Sequence, residues 1–502
     1  MADQRSADEG EDAPLARETS PGPGSEAAAS PAAPPPKRGK FLDGSLMRHV
    51  VEMTLASSIG LMAIFLVDLA DLYFISLLGE AELAAAVGYA AAILFFTTSV
   101  SIGLAIAMGA LVARSIGVGD AERARVYVTH VGVASLATTA VVALLVWLFL
   151  PTLVAWVGAT GRTAELAVDY LSIVAPSLPL LNIVMCGGAV LRAHGDARRS
   201  MNITLSVAAV NAVLDPLFIF GFAFVPALGL EGAALASVLA RASGAAAAIL
   251  PIQRRYGGFA PLKRPAFLAD LREIARLSGP AMLTNVATPI GAAFVTRTIA
   301  EFGDAAVAGY AIVGRLTPVA FGLVFALSGA VGPIVGQNFG AKAYDRVRRT
   351  LWDALAFLAA FVVAMSLLLY LVRAPIADLF NASDEARVLV YWFCGPLALA
   401  FFFNGALFAS NAMFNNLGRP GLAAITNWGR HTLGTIPPAM LGASLMGAPG
   451  VLIGQAVGGV LFGALAVWLA IRLVDAHEKG ASTRSVLPSL ALPLSPFPWR
   501  RR

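Results

Sequence analysis

A carboxylate, an amide and a proline stand close together inside a long apolar run, at Asp215, Asn211 and Pro216. Asn211 and Asp215 are four residues apart, so they would share one face of a helix. Pro216 cannot donate to the carbonyl of Ala212, and a bend there would free that acceptor. An ionisable residue at membrane depth costs at least about 2.5–3.5 kcal/mol and is functional by default. These groups could hold a proton or a small cation. The alternative is a structural kink that neighbouring helices satisfy.

The composition predicts a helical membrane protein. Of the 502 residues, 58% are hydrophobic and 13% are charged, against about 25% charged residues in soluble proteins. The apolar runs are far longer than the strands of a membrane barrel require. The net charge is +5, but the basic residues lie in short loops between apolar runs. That pattern orients a membrane protein, and we expect no nucleic-acid partner.

The motif inventory argues against an enzyme. Cys186 and Cys394 both lie in apolar runs and suit neither a disulfide framework nor a metal cluster. The sequence contains no HExxH motif, no GxxxxGK phosphate loop and no GxSxG elbow. We therefore expect no catalytic residue and no cofactor, and an intramembrane enzyme is disfavoured.

Twelve apolar runs are each long enough to cross a bilayer as a helix. We predict an all-α membrane protein with twelve transmembrane helices in two six-helix bundles, at 43–253 and 273–475, joined by a cytoplasmic connector at 254–272. A disordered cytoplasmic tail is expected at 1–42 and a second cytoplasmic tail at 476–502. The runs lie near 50–76, 84–113, 126–150, 166–190, 201–223, 230–253, 276–300, 305–336, 350–373, 388–413, 421–443 and 449–474.

Loop charge alternates along the chain. The loops at 114–125, 192–199 and 342–349 are basic, as are the connector and both tails, whereas the intervening loops are mostly acidic or neutral. By the positive-inside rule both termini are cytoplasmic, and we expect a multi-pass protein of an inner or plasma membrane.

The two halves repeat each other. The segment from Gly109 to Gly117 matches the segment from Gly332 to Gly340, which lies 223 residues later. Six spans per half mean that both halves enter the membrane from the same side, so a pseudo-twofold axis along the membrane normal should relate them. A ligand path between the halves, with alternating access, is the natural inference. The alternative is a duplicated scaffold that no longer transports.

Three stretches carry a resemblance to a known family. They are VDLADLYFISLLG from Val67, NAVLDPLFIFG from Asn211 with the flanking LRAHGD and GLEG segments, and VGQNFGA from Val335. Across residues 45–475 the chain resembles the multidrug and toxic compound extrusion (MATE) family of secondary antiporters. The resemblance implies a secondary active multidrug efflux antiporter. It would export organic cations or amphiphilic toxic compounds in exchange for H⁺ or Na⁺.

The resemblance also implies where the coupling ion binds. Asp71, Asn211 and Asp215 match family positions that form a proton or cation pocket, with Asp68 nearby, and Ser237 stands where a threonine is common. A Na⁺ ion could bind at Asp71, Asn211 and Asp215, and no other metal is expected. Three carboxylates near one cavity would repel each other strongly in a low dielectric. We therefore expect one of them to be protonated, or a cation to be bound, and a cationic substrate to compete with that ion.

Two stretches depart from one branch of the family. NorM-type members carry acids in the seventh and tenth helices, whereas the comparable stretches here contain Asn285 and Asn404 and no carboxylate. The pattern is closer to the DinF-type, with coupling in the N-terminal half.

Further polar residues inside the spans are candidates for a substrate cavity, and each could instead join helices. Arg430 could bind an anionic substrate, pair with an acid or anchor two helices. We expect small-molecule substrates and membrane lipids as partners of a monomer. A lipid-linked glycan flippase of the wider superfamily is the alternative transporter, although its cavity should be cationic. The cavity candidates are Asn182, Ser237, Asn285, Gln337, Asn404 and Arg430.

Overall fold

A computed structural model of the chain describes residues 39–221 and 226–481, and these described residues are helical without a strand. The N-terminal half contains α1 (Leu46–Ser76), α2 (Ala81–Val118), α3 (Ala121–Leu148), α4 (Leu150–Trp156), α5 (Gly161–Val174), α6 (Leu178–Ala193), α7 (Ala197–Phe220) and α8 (Gly229–Arg255). The C-terminal half contains α9 (Arg264–Ala300), α10 (Asp304–Gly340), α11 (Tyr344–Leu379), α12 (Asp384–Trp392), α13 (Ala398–Asn416), α14 (Pro420–His431), α15 (Ile436–Met446) and α16 (Ala448–Glu478).

Ten helical stretches of the described chain are long and apolar enough to cross a membrane. Helix α9 and the pair α14 and α15 complete the twelve. The apolar part of α9, at 277–300, has a lower mean hydropathy because it carries Asn285, two prolines and several threonines. The eleventh span is divided at 432–435, and neither α14 nor α15 is long enough alone. The predicted all-α fold of two six-helix bundles is therefore confirmed.

Each half has its own apolar core. The C-terminal core is built from α10, α11, α13 and α16, with Phe321, Leu327 and Phe414 fully buried. The first turns of α1 also pack into this core through Val50 and Met53. Helix α1 therefore links the two halves along its first part and enters the N-terminal bundle along its second.

The connector predicted at 254–272 is wrong in its second part, because α9 already begins at Arg264. Pro265 lies in the first turn of α9, where a proline is tolerated. Asp270 is buried and accepts hydrogen bonds from Arg123 and, at 2.7 Å, from Nδ1 of His130, both in α3. Residues 264–272 contain several charged residues and therefore have the composition of a loop, although the charge of Asp270 is paired within the protein.

The tail predicted at 1–42 also ends too late. Lys40–Leu42 forms a 3₁₀ turn in which Phe41 is fully buried, and the backbone N–H of Phe41 donates to Oε1 of Gln337 at 2.9 Å. Helix α16 continues to Glu478, beyond the predicted start of the second tail. Residues 1–38 and 482–502 lie outside the described chain, as do residues 222–225.

The internal repeat reappears as paired contacts between the halves. Arg114 Nε donates to the carbonyl of Asn416 at 2.6 Å, and Gln337 Nε2 donates to the carbonyl of Ala193 at 2.7 Å. Gln337 stands 223 residues after Arg114, and Asn416 stands 223 residues after Ala193. The two hydrogen bonds are therefore equivalent under the pseudo-twofold relation.

Two glycines at the same repeat offset let the halves approach each other. A Cβ on Gly117 would lie 2.1 Å from the carbonyl oxygen of Gln337, and a Cβ on Gly340 would lie 2.3 Å from that of Arg114. Arg346 adds a hydrogen bond of 2.9 Å to the carbonyl of Phe41. These contacts lie on the face that carries both ends of the described chain, here called the terminal face, and they close the two halves together there.

Candidate functional site

Helix α7 positions the central residues of the site. Asp196 caps its first turn by accepting from the backbone N–H of Arg199 at 3.2 Å, and it also accepts from the Tyr256 hydroxyl at 2.8 Å. Although burial opposes ionisation, the hydrogen bonds from Tyr256 and Arg199 lower the pKa of Asp196 below its ordinary value. The helix continues through Pro216 to Phe220 and is followed by Gly221, whose φ of 75° suits glycine.

Close packing holds α7 between its neighbours. A Cβ on Gly60 of α1 would lie 3.3 Å from Cβ of Thr204, and a Cβ on Gly232 of α8 would lie 2.4 Å from the carbonyl oxygen of Phe218. Only glycine permits the second approach. Helices α1 and α8 are thereby fixed against the two sides of the helix that carries Asn211 and Asp215.

The structure brings Asp71, Asn211 and Asp215 together. Nδ2 of Asn211 donates to Oδ2 of Asp215 and, at 3.3 Å, to Oδ1 of Asp71. Asp215 is fully buried and Asn211 is 7% exposed, whereas Asp71 is half-buried. The first and fifth spans therefore converge at these three side chains, which the family resemblance implied would lie together.

The negative charge of these two carboxylates needs compensation. Two carboxylates share one amide donor group, and Oδ1 of Asp215 is buried without a hydrogen-bond partner among the described residues. Two negative charges this close cannot both persist in a low dielectric without compensation. A proton on one carboxylate, or a small cation between them, would supply it. The described residues contain no group of three or more His, Cys, Asp or Glu side chains that could hold a metal ion.

Asp68 does not join the pair. It lies one turn before Asp71, is exposed, and forms no ion pair with a described residue. Asp68 therefore lies near Asp71 without sharing the hydrogen bonds of Asn211. Arg241 and Asp71 are both charged neighbours of Asp68.

Sequence reasoning missed Arg241, which adds a positive charge to the N-terminal half. It lies in α8 and donates to Oγ of Ser177 at 2.7 Å and to the carbonyl of Val174 at 3.4 Å. Ser237, one turn earlier in the same helix, contacts the hydroxyl of Tyr170. An arginine inside the apolar run at 230–253 was the available signal.

Two of the predicted cavity residues form hydrogen bonds within the protein. Asn182 is 1% exposed and donates to Oγ of Ser135 at 2.9 Å, so it joins α6 to α3. Gln337 is fully buried, and both ends of its amide bond backbone groups at the terminal face. Asn182 also lines an apolar cavity of about 290 Å³ within the N-terminal half, whereas Gln337 lies between the two halves.

A central cavity of about 380 Å³ lies between the two halves. Asn285 of α9 lines it, together with residues of α1, α2, α6, α7, α10 and α13. Arg192, Ser200 and Asn415 line its end near the terminal face. The wall includes Val207, one turn of α7 before Asn211, whereas Asp71, Asn211 and Asp215 do not themselves line this cavity.

A second cavity, of about 390 Å³, lies within the C-terminal half. Asn404 and Arg430 line it, as do Asn404's neighbours Phe401 and Phe408. Two of the six predicted cavity residues thus meet at a place separate from the central cavity.

Comparison with known proteins decides the family. The MatE family model matches residues 56–217 and again residues 280–441, once in each half. The chain belongs to the MatE family. Members of this family are transporters, and the duplicated match agrees with the paired contacts at the terminal face.

The alignments with named relatives cover most of this chain. An FAD transporter of Shewanella oneidensis is 29% identical over 452 residues, which cover 87% of this chain and 97% of that protein. The multidrug export protein MepA of Staphylococcus haemolyticus is 24% identical and covers 82% of this chain and 90% of its own length. Among solved structures, the Vibrio cholerae MATE transporter VcmN in the bent form superposes with a TM-score of 0.80 at 26% identity, covering 86% of this chain and 98% of VcmN.

Proposed function

We propose that this MatE-family protein is a secondary active efflux antiporter that exports amphiphilic small molecules in exchange for H⁺ or Na⁺. The observation that carries the proposal is the pair Asp71 and Asp215, bridged by Asn211 in a protein with a cavity between two repeated halves. The names of the relatives, a multidrug export protein and an FAD transporter, support transport of organic small molecules.

Coupling follows from reciprocal linkage between the binding of the ion and the binding of the substrate. In this proposal, entry of a proton or Na⁺ at the acidic pair weakens the binding of substrate, and substrate binding weakens that of the ion to the same degree. The contacts at the terminal face would open in the other half of an alternating-access cycle. Exchange of the two ligands then moves substrate out as the ion moves in.

We place the coupling site in the N-terminal half alone, as in the DinF-type branch. The C-terminal stretches that could carry acids contain Asn285 and Asn404, and neither cavity lining includes a carboxylate. We further propose a monomer in an inner or plasma membrane, with the terminal face toward the cytoplasm, because the loops on that face are basic.

Proteoliposomes test the proposed exchange. The purified protein is reconstituted, and transport of a panel containing ethidium and FAD is measured under an imposed pH gradient or an imposed Na⁺ gradient. We expect accumulation of at least one compound against its own gradient with one of the two ions, and none without either. Fluxes that are indifferent to both gradients would contradict antiport.

A further inference from the structure

The cavity of the C-terminal half has an unusual lining for a membrane protein. Its polar residues are Arg430, His431, Asn404 and Gln455, with hydroxyl groups such as that of Tyr310. No aspartate or glutamate lines it. Its volume of about 390 Å³ falls within the range of small-molecule sites, which is about 300–1,000 Å³.

Three of these polar groups lack a protein partner. The guanidinium of Arg430 forms no ion pair or hydrogen bond with a described residue. Nε2 of His431 and Oδ1 of Asn404 are buried and without a hydrogen-bond partner, and His431 is only 6% exposed. Buried polar groups are normally paired, and an unpaired cation inside a membrane is a strong exception.

The helices that wall this cavity are broken where they meet it. Helix α10 has non-helical backbone angles at Phe321, three residues after Pro318. A π-helical turn at Phe393–Leu397 separates α12 from α13. The eleventh span is interrupted at 432–435, directly after His431. Interrupted helices at membrane depth are typical of substrate and ion sites in transporters, because irregular backbone is tolerated there only inside protein or beside a cavity.

Aromatic rings form much of the remaining wall. Phe325 and Phe408 contact each other with their ring centroids 5.6 Å apart, and Phe401 stacks on Phe321 at 4.0 Å. Phe325, Phe401 and Phe408 all line the cavity. Such a wall suits a planar ring, and an arginine is well matched to a phosphate or carboxylate.

We propose that this cavity binds the anionic group of an aromatic substrate, with Arg430 as its counter-charge and the phenylalanines against its ring. The proposal rests on the efflux function and narrows its substrates to aromatic phosphates or carboxylates. Asn285 of the central cavity and Thr288 of this one are three residues apart in α9, so this helix forms part of the wall of both cavities. The acidic pair in the other half then remains available to the coupling ion.

Three flavins provide a matched set of probes, since riboflavin, FMN and FAD share one ring system and differ in phosphate. Binding to the purified protein in a neutral detergent is measured by quenching of flavin fluorescence. We expect FMN and FAD to bind at least tenfold more tightly than riboflavin. Arg430→Gln should remove that preference and leave riboflavin affinity unchanged, and Arg430→Lys should restore part of it.

The matched control is Arg297→Gln, which removes an exposed arginine of α9 that does not line the cavity. It should bind all three flavins as the wild type does.

In neutral-lipid nanodiscs, displacement of FMN by added phosphatidylglycerol would support the same anion site and identify lipid phosphate as a second occupant. Equal affinity for riboflavin and FMN, or no measurable binding of either flavin phosphate, would overturn the proposal. Binding needs no ion gradient, so this result is independent of whether ion-driven transport occurs.

Discussion

Replacing Asp215 by asparagine is expected to abolish most ion-driven export. The amide keeps the size of the side chain and its contact with Asn211 but removes one of the two charges that attract the coupling ion. Coupling free energies of this kind are about 1–3 kcal/mol, so gradient-driven transport should fall about 5–150-fold. Asp71→Asn should act in the same way. Initial transport rates in proteoliposomes under the productive gradient measure the effect.

Two aspartates of the same half serve as controls for this result. Asp169 is an exposed residue of α5, and Asp169→Asn should transport like the wild type. Asp68→Asn should have a smaller effect than Asp215→Asn, because Asp68 faces Arg241 and does not share Asn211. Asp215→Asn transporting at the wild-type rate would refute the coupling role, provided that it elutes as a folded protein.

The second large effect is expected at the terminal face. The Cβ of Gly117→Ala would fall 2.1 Å from the carbonyl oxygen of Gln337, which is backbone and cannot rotate away. Overpacking of this kind costs about 1–3 kcal/mol, which would shift the balance away from the closed terminal face about 5–150-fold. We expect the central cavity to become accessible from the terminal face.

A single cysteine reports this opening. Ser328→Cys places a thiol on the wall of the central cavity, in a background where the buried Cys186 and Cys394 are replaced by alanine. A membrane-impermeant maleimide applied to the terminal face should label it slowly, and faster once Gly117→Ala is added. Gly132→Ala is the matched control, because no atom lies within 4 Å of its Cβ. An unchanged labelling rate in Gly117→Ala would show that this contact does not close the cavity.

The acidic site could be predicted because its signals are local. Asn211 and Asp215 share a helical spacing, and a carboxylate inside an apolar run is conspicuous wherever it occurs. Their meeting with Asp71 then followed from the resemblance, and the hydrogen bonds of Asn211 agree with it. Asp68 has the same local signal as Asp71, but the direction in which each side chain points depends on packing that its spacing does not specify.

Other features depend on contacts between distant parts of the chain. Gln337 resembled a cavity residue, but it bonds Ala193, which is 144 residues away, and Phe41 in a segment that composition assigned to a tail. Asp270 was assigned to a loop because it is charged, and only its hydrogen bonds to α3 explain why it is buried in a helix. The division of the eleventh span at 432–435 was also missed, although Gly434 and two prolines at the start of α15 were signals for it.

Competition between substrate and ion at equilibrium is the most direct test of the role assigned to Asp71 and Asp215. The affinity of the purified protein for a transported compound is measured over a range of pH and of Na⁺ concentration, for the wild type and for Asp215→Asn. Wild-type affinity should weaken as the coupling ion becomes more concentrated, and Asp215→Asn should bind with an affinity that no longer depends on that ion. An ion dependence that persists unchanged in Asp215→Asn would place the coupling site elsewhere in the protein.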